Sequence, residues 1–411
     1  MRRIFAVPAY RRYWLGDLCG GILAEVVQVA VMWYLTSYGH SPQALGLYSF
    51  FADAPVAPGG VLVAQLFRRC KVRSVMMLDL VARSLGYAVL AGCLLAGRGH
   101  GVPFWTFDLV AAVTALFVMA PSAGGPSLWP RLLPKAELGH AMQSEQFGWN
   151  LSSAVGPLLA GALVTAAGLQ AIALAAALLF AGLGLNLATL RLEGPDPQAT
   201  EAEGKTPQAS LLAVWRIVAR ERALLLPTVL FWVLNLVGGM QGVFLPLIVH
   251  TFWQGPAWLY GALLGTAALS GLLGSITLAS AQGGDLLRKV MLGELAASLA
   301  SLLLVPGLRS PLFAFAALGI SSAISAATAT WVLQLRFDAT GERERPVVLA
   351  YIRTALYSAS PLGALVAGGV WRPASAAAWL AGGSGLMFLA ALVGLAAAGP
   401  GRRNAAVGAS R

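Results

Sequence analysis

Charge is what this sequence has least of. Only 11% of its 411 residues are Asp, Glu, Lys or Arg, against about 25% in an ordinary soluble chain. So few charges cannot clothe a globule of this size in water. Cysteine is also scarce: Cys19, Cys70 and Cys93 lie in or beside apolar stretches and form neither a disulfide framework nor a metal spacing. The four histidines, His40, His100, His140 and His250, are scattered near the ends of apolar stretches, so no metal site and no cofactor is expected. No Walker loop with its Gly-x-x-x-x-Gly-Lys-Ser/Thr spacing is present, so ATP hydrolysis by this chain is not expected. Neither a Ser-His pair nor a catalytic cluster of acids is visible, so an enzyme is not expected.

What the sequence has is apolar length. Hydrophobic residues make up 58% of the chain and the mean hydropathy is +0.73. The apolar residues come in runs of about 20, the length that crosses a hydrocarbon core as a helix, rather than the alternating segments of about ten that a barrel needs. Helices satisfy their own backbone hydrogen bonds, as lipid demands. Twelve spans are expected, at 14–36, 43–66, 74–97, 104–127, 139–165, 169–190, 224–249, 257–281, 289–306, 311–335, 347–370 and 374–398. The first is read as a retained span, because Asp17 and Glu25 interrupt it and it is too long for a signal core. The polar stretch 191–223 divides the spans six and six: residues 1–190 form one bundle, 191–223 a cytoplasmic linker, 224–398 a second bundle and 399–411 a cytoplasmic tail. Within the linker, 210–222 reads as a basic amphipathic helix with Leu211 and Trp215 against lipid.

The net charge of +11 is a topology signal, not a nucleic-acid patch. Lys and Arg recur at alternate loops, and outside the spans only Arg98, Arg309 and Arg372 fall on the opposite side. That bias puts both termini and the linker in the cytoplasm. The halves also repeat. Arg131 precedes Gly156-Pro157-Leu158-Leu159-Ala160-Gly161 at the fifth span, and Arg336 precedes Ser360-Pro361-Leu362-Gly363 at the eleventh, with nearly the same interval. Two parallel repeats with a substrate path between them fit this pattern.

Short motifs carry a resemblance. Arg11-Arg12-Tyr13-Trp14-Leu15-Gly16 opens the first span, Ser41-Pro42-Gln43-Ala44-Leu45-Gly46 follows it, and Trp129-Pro130-Arg131-Leu132-Leu133-Pro134-Lys135-Ala136-Glu137-Leu138 joins the fourth and fifth. With these elements the chain resembles the major facilitator superfamily, and within it the subfamily of the enterobactin exporter and related efflux proteins. The resemblance implies an all-α integral membrane fold of twelve helices in two pseudo-symmetric six-helix bundles, a bacterial cytoplasmic membrane location and a monomer. Gly156, Pro157 and Gly161 resemble the family's antiporter motif. Arg68, Arg69, Lys71 and Arg73 match its cytoplasmic gating loop, although Gln65-Leu66 stands where the family carries an Asp-Arg pair.

Charges inside spans point to transport. A carboxyl at a helix centre costs about 2.5–3.5 kcal/mol on insertion scales, so it needs a partner, water or a proton. Glu25 and Asp53 lie deepest and are the expected proton-coupling residues. Asp79 and Arg83 are spaced for an ion pair within one helix. Asp17, Glu145 and Glu294 lie nearer the cytoplasmic face and are expected to snorkel or pair with loop arginines, while Asp108 is expected close to water. Gln28, Trp149, Asn150, Trp232, Asn235, Gln241, Trp331, Gln334 and Arg353 could line an amphipathic substrate cavity; for each aromatic, simple packing is the alternative. The expected function is proton-driven export of a small organic molecule, a siderophore in preference to a drug. Multidrug efflux, uptake of a siderophore or lysophospholipid, and a membrane sensor that transports nothing are the competing readings. The expected partners are membrane lipid, the small-molecule substrate and protons.

Overall fold

A computed structural model describes residues 2–97, 102–192, 211–278, 285–341 and 344–399. The middle of the linker, most of the tail, Gly283-Gly284 and Glu342-Arg343 lie outside the described residues. Every regular element among the described residues is helical. The membrane helices are α1 (Pro8–Ser37), α2 (Pro42–Asp53 with Val56–Arg69), α3 (Val72–Ala96), α4 (Phe104–Phe117 with Met119–Leu128), α5 and α6 (the two legs of Leu138–Ala188), α7 (Arg222–Thr251), α8 (Ala257–Thr277), α9 (Leu286–Ser301 with Leu304–Gly307), α10 (Pro311–Asp338), α11 (Arg345–Tyr357 with Ala359–Val370) and α12 (Ala376–Ala398).

Among the described residues, ten helical stretches are long and apolar enough to cross a membrane. Two features bring the number to twelve. The stretch Lys135–Ala188 has 54 residues, about 80 Å of helix against a core of about 30 Å. It is two legs joined at Gly168, whose φ of +74° suits a residue with no β-carbon. The two segments of α11, of 13 and 12 residues, are each too short to cross alone and make one span together.

Proline explains the interrupted helices. Its ring removes one N–H and crowds the carbonyl four residues earlier. Pro58, Pro121, Pro306 and Pro361 stand four residues after Ala54, Phe117, Leu302 and Tyr357, and α2, α4, α9 and α11 break at those points. Helix starts carry the expected signals. Ser41 accepts a hydrogen bond from the Ala44 amide at 3.4 Å, with Pro42 in the first turn, and Asp285 accepts from the amides of Leu287 and Arg288 at 3.1 and 3.3 Å.

The chain forms two compact units. One comprises Met1–Pro207, Met240–Gly265 and Ala364–Val370; the other comprises Gln208–Gly239, Thr266–Gly363 and Trp371–Arg411. In the first, Ile4, Tyr10, Tyr13, Val72, Met76, Leu128, Trp129, Leu132 and Leu187 pack one end of the bundle, so the Trp129–Leu138 motif contributes Trp129, Leu132 and Leu133 to the core while Pro130, Pro134, Lys135 and Ala136 stay exposed. In the second, Leu230, Val290, Met291, Val332 and Ala391 join α7, α9, α10 and α12. The short helix Leu211–Arg220 is amphipathic as expected, with Trp215 exposed. Its Val214 and Val218 are buried with Leu224, Val348 and Ile352, so it docks on α11.

Candidate functional site

The fifth-span motif organises the first unit. A β-carbon on Gly156 would collide with the β-carbon of Glu25, so α5 can approach α1 here only because the residue is glycine. Three residues earlier, Ser153 donates its hydroxyl proton to Glu25 Oε1 at 3.4 Å. Pro157 has no N–H to offer the Ser153 carbonyl four residues before it, so the motif leaves that carbonyl without its helical donor. A turn nearer the start of α1, a β-carbon at Gly21 would lie 2.7 Å from Ser152 Oγ, and Ser152 donates to the Leu18 carbonyl at 3.3 Å. Glu25 is half-buried. It acts electrostatically on buried Tyr260 of α8, whose ring stacks on Trp33 at 6.1 Å, and it stands in the field of Arg83.

The far end of the motif closes on α8. A β-carbon at Gly161 would lie 2.7 Å from the α-carbon of Trp258, and one at Gly261 would lie 3.1 Å from the α-carbon of Gly161. A matching contact joins α2 to the last turns of α11: a β-carbon at Gly46 would lie 2.7 Å from the Ala364 carbonyl and 3.0 Å from the α-carbon of Gly368. The repeat extends to the second unit, where Ser360, directly before Pro361, presses its backbone on Gly239 of α7. Gly156, directly before Pro157, presses on α1 in the same way. Glu25 lies 17 residues after Pro8 and Gly239 lies 17 after Arg222, the first residues of α1 and α7. The second repeat therefore puts a glycine where the first puts its carboxylate.

The other candidates separate into several environments. Asp53 ends the first segment of α2, half-buried and partnered; buried Tyr48 stands in the field of both Asp53 and Asp108. Asp108 is not near water as expected: it is 7% exposed and its Oδ1 has no hydrogen-bond partner. Arg83 Nε donates to both oxygens of Asp79 at 2.9 and 3.0 Å, with the guanidinium 5.6 Å from the Phe180 ring centre. Arg68, Arg69 and Lys71 are exposed. Arg73 is not: its guanidinium donates to the Ala188 carbonyl at 3.0 Å and to the Leu190 carbonyl, closing the end of α6.

Of the proposed cavity residues, Gln28, Trp149, Gln334 and Arg353 are exposed, and Asn150 and Gln241 are half-buried. Gln146 donates to Asn150 Oδ1 at 3.2 Å, one turn away on α5. In the second unit Trp232 donates to Ser358 Oγ at 3.3 Å, at the break in α11, while Asn235 donates to the Phe231 carbonyl of its own helix at 2.7 Å. Trp331 packs against the hydrophobic cluster of that unit and lies 5.9 Å from the Lys289 ammonium. Arg353 Nη2 donates to the Tyr357 hydroxyl at 3.3 Å. Glu294 neither snorkels nor meets an arginine: it is fully buried and bonded to Ser325 and Thr328 of α10. Ser153 and Tyr260 had no signal in the sequence beyond their spacing from helix breakers. Among the described residues no group of three or more His, Cys, Asp or Glu could hold a metal ion.

Residues 13–364 match the sequence pattern of the Major Facilitator Superfamily. The chain belongs to that superfamily. It is a multi-pass integral membrane protein and a secondary transporter. Solved structures agree on the fold. A point mutant of the nucleoside transporter NupG is similar with a TM-score of 0.76 at 12% identity, over 94% of this chain and 98% of that one. A bacterial homologue of the iron transporter ferroportin in an inward-facing state gives 0.70 at 18% identity, over 97% and 100%. A mutant of the peptide transporter POT gives 0.71 at 14%, over 94% and 93%. Among curated proteins none matches the sequence.

Proposed function

We propose that this superfamily member exports a small organic molecule from the cytoplasm, a siderophore in particular, in exchange for protons. The observation that carries the reading is the contact of the fifth-span motif with α1. Gly156 admits Glu25 against α5, Ser153 binds the carboxyl, and Pro157 leaves the Ser153 carbonyl without its helical donor. A carboxyl so placed changes its hydrogen bonding when it gains or loses a proton, and the contact makes that change a change in how α5 sits on α1. Glu25 is the principal proton carrier of the reading, with Asp53 and its neighbour Tyr48 as the second.

The substrate follows from charge. Arg353, two turns into α11 and exposed, has no carboxylate bonded to it among the described residues, and its guanidinium rests on Tyr357. So few free cations suit a neutral polar chelator better than a phosphate ester. Gln28, Asn150, Trp149, Trp232, Gln241 and Gln334 supply amide and indole groups for such a ligand. Halves 1–190 and 224–398 would move as bodies in the bacterial cytoplasmic membrane, with both termini in the cytoplasm and the chain acting as a monomer. The glycine contacts of α5 with α8 and of α2 with α11 would part and re-form in each cycle.

Everted vesicles carrying the chain, given a labelled metal-free hydroxamate or catecholate siderophore, test the reading. Accumulation that collapses on adding a protonophore is expected. Accumulation that ignores the protonophore, or none with either siderophore class, would overturn it.

A further inference from the structure

Glu294 has no part in the exchange just proposed, yet it is the most enclosed carboxyl among the described residues, at 0% exposure. Asp79, at 3%, has Arg83 as its counter-ion. Glu294 has hydroxyls instead. Ser325 donates to Oε2 at 3.0 Å, and Oε1 is in hydrogen-bond contact with Thr328 Oγ. Gly293 permits the close approach, since a β-carbon there would lie 2.6 Å from Thr328 Cγ2.

The charged groups around it are distant or engaged. On α9 itself, Arg288 and Lys289 lie more than a turn before Glu294, and Lys289 rests over the Trp331 ring. On α10, Arg336 and Asp338 lie at least eight residues past Thr328, about 12 Å along the axis. On α7 the nearest charge is Arg222 at the helix start, and α12 has none between Ala376 and Ala398. An ionised carboxyl at this place would be a buried charge without a cation.

Counting protons decides the state. Thr328 Oγ lies 2.9 Å from the Ser325 carbonyl and also in contact with Glu294 Oε1, but a hydroxyl has one proton to give. If that proton goes to the Ser325 carbonyl, the proton between Thr328 and Glu294 must come from the glutamate. If it goes to Glu294, two oxygens of α10 face each other with no proton between them.

We propose that Glu294 is a proton-binding site, a neutral carboxylic acid that joins α9 to α10. Its O–H donates to Thr328 Oγ, Thr328 donates to the Ser325 carbonyl, and the Ser325 hydroxyl donates to the free C=O of the acid. All three contacts are then satisfied, and the ligand is one proton held while the two helices stay packed. The inference stands whether or not Glu25 carries protons for transport.

Infrared spectroscopy of the full chain in lipid nanodiscs near neutral pH reads the state directly. The wild-type minus Glu294→Gln difference should contain the C=O stretch of a protonated carboxyl, shifted in heavy water. Thr328→Val, which removes the acceptor of the acid proton, should move that band. A difference spectrum with only carboxylate stretches, or a band that Thr328→Val leaves in place, would overturn the proposal. If Glu294→Gln cannot be recovered folded, the Thr328→Val comparison decides alone.

Discussion

Glu25 and Gly156 meet backbone to side chain: the β-carbon of the glutamate occupies the space a side chain on Gly156 would need. The small residue of the fifth-span motif and the deepest acid of the first span are one structural unit. Gly156→Ala should therefore overpack the crossing and lower stability by about 1–3 kcal/mol, measured as a lowered unfolding temperature in detergent. Glu25→Gly in the same chain should restore much of the loss, because it removes the β-carbon that the new methyl strikes. Transport should stay absent in that double variant if Glu25 carries the proton.

The Asp79–Arg83 pair gives a second expectation. Its side chains are only 4% and 11% exposed, so removing one partner strands a buried charge. Arg83→Met alone should cost about 3–5 kcal/mol, and Asp79→Leu with Arg83→Met should cost much less. Thermal unfolding of the three chains measures this. Equal losses in the single and double variants would mean that the pair contributes packing and no charge compensation.

Arg73 should behave unlike its neighbours in the basic loop. It supplies protons to two carbonyls at the end of α6, so Arg73→Ala should cost about 1.5–3 kcal/mol. Arg68→Ala, at an exposed position, should stay within about 0.5 kcal/mol. A gating loop acting only through its summed charge would give the two variants the same transport defect and neither a stability defect.

The glycine contacts of α5 with α8 and of α2 with α11 leave no room for side chains. Gly161→Leu and Gly46→Leu should each leave a folded chain whose two helices cannot close, with transport reduced about tenfold or more, equivalent to ~1.4 kcal/mol against the closed form. Initial transport rates per folded molecule, with folding checked by gel filtration, give the measure.

Much of this was legible in the sequence because lipid imposes a simple length rule. Apolar runs between basic loops placed twelve spans close to the observed helices, and Gly168 falls in the gap expected between the fifth and sixth. The interruptions at Ala54, Phe117, Leu302 and Tyr357 follow from prolines four residues on, a relation visible only once the helices are known to be continuous around them. Partners were not legible. Glu294 was read by its distance from the helix end, and that distance says nothing of Ser325 and Thr328, which lie 31 and 34 residues away on another helix. Asp108 was misread in the same way. Arg73 looked like one more loop cation because its acceptors, the carbonyls at the end of α6, carry no sequence signature. The Gly156 motif could be recognised, but its contact with Glu25 depends on two helices crossing at one height.

The most direct measurement is gradient-driven transport by Glu25→Gln. Glutamine can still accept from Ser153 and still packs over Gly156, so the substitution removes the exchangeable proton and little else. In proteoliposomes with an imposed pH gradient and labelled metal-free siderophore, accumulation against the gradient should vanish while substrate exchange at equilibrium persists. Wild-type accumulation by Glu25→Gln, and by Asp53→Asn assayed beside it, would contradict proton coupling through these carboxyls.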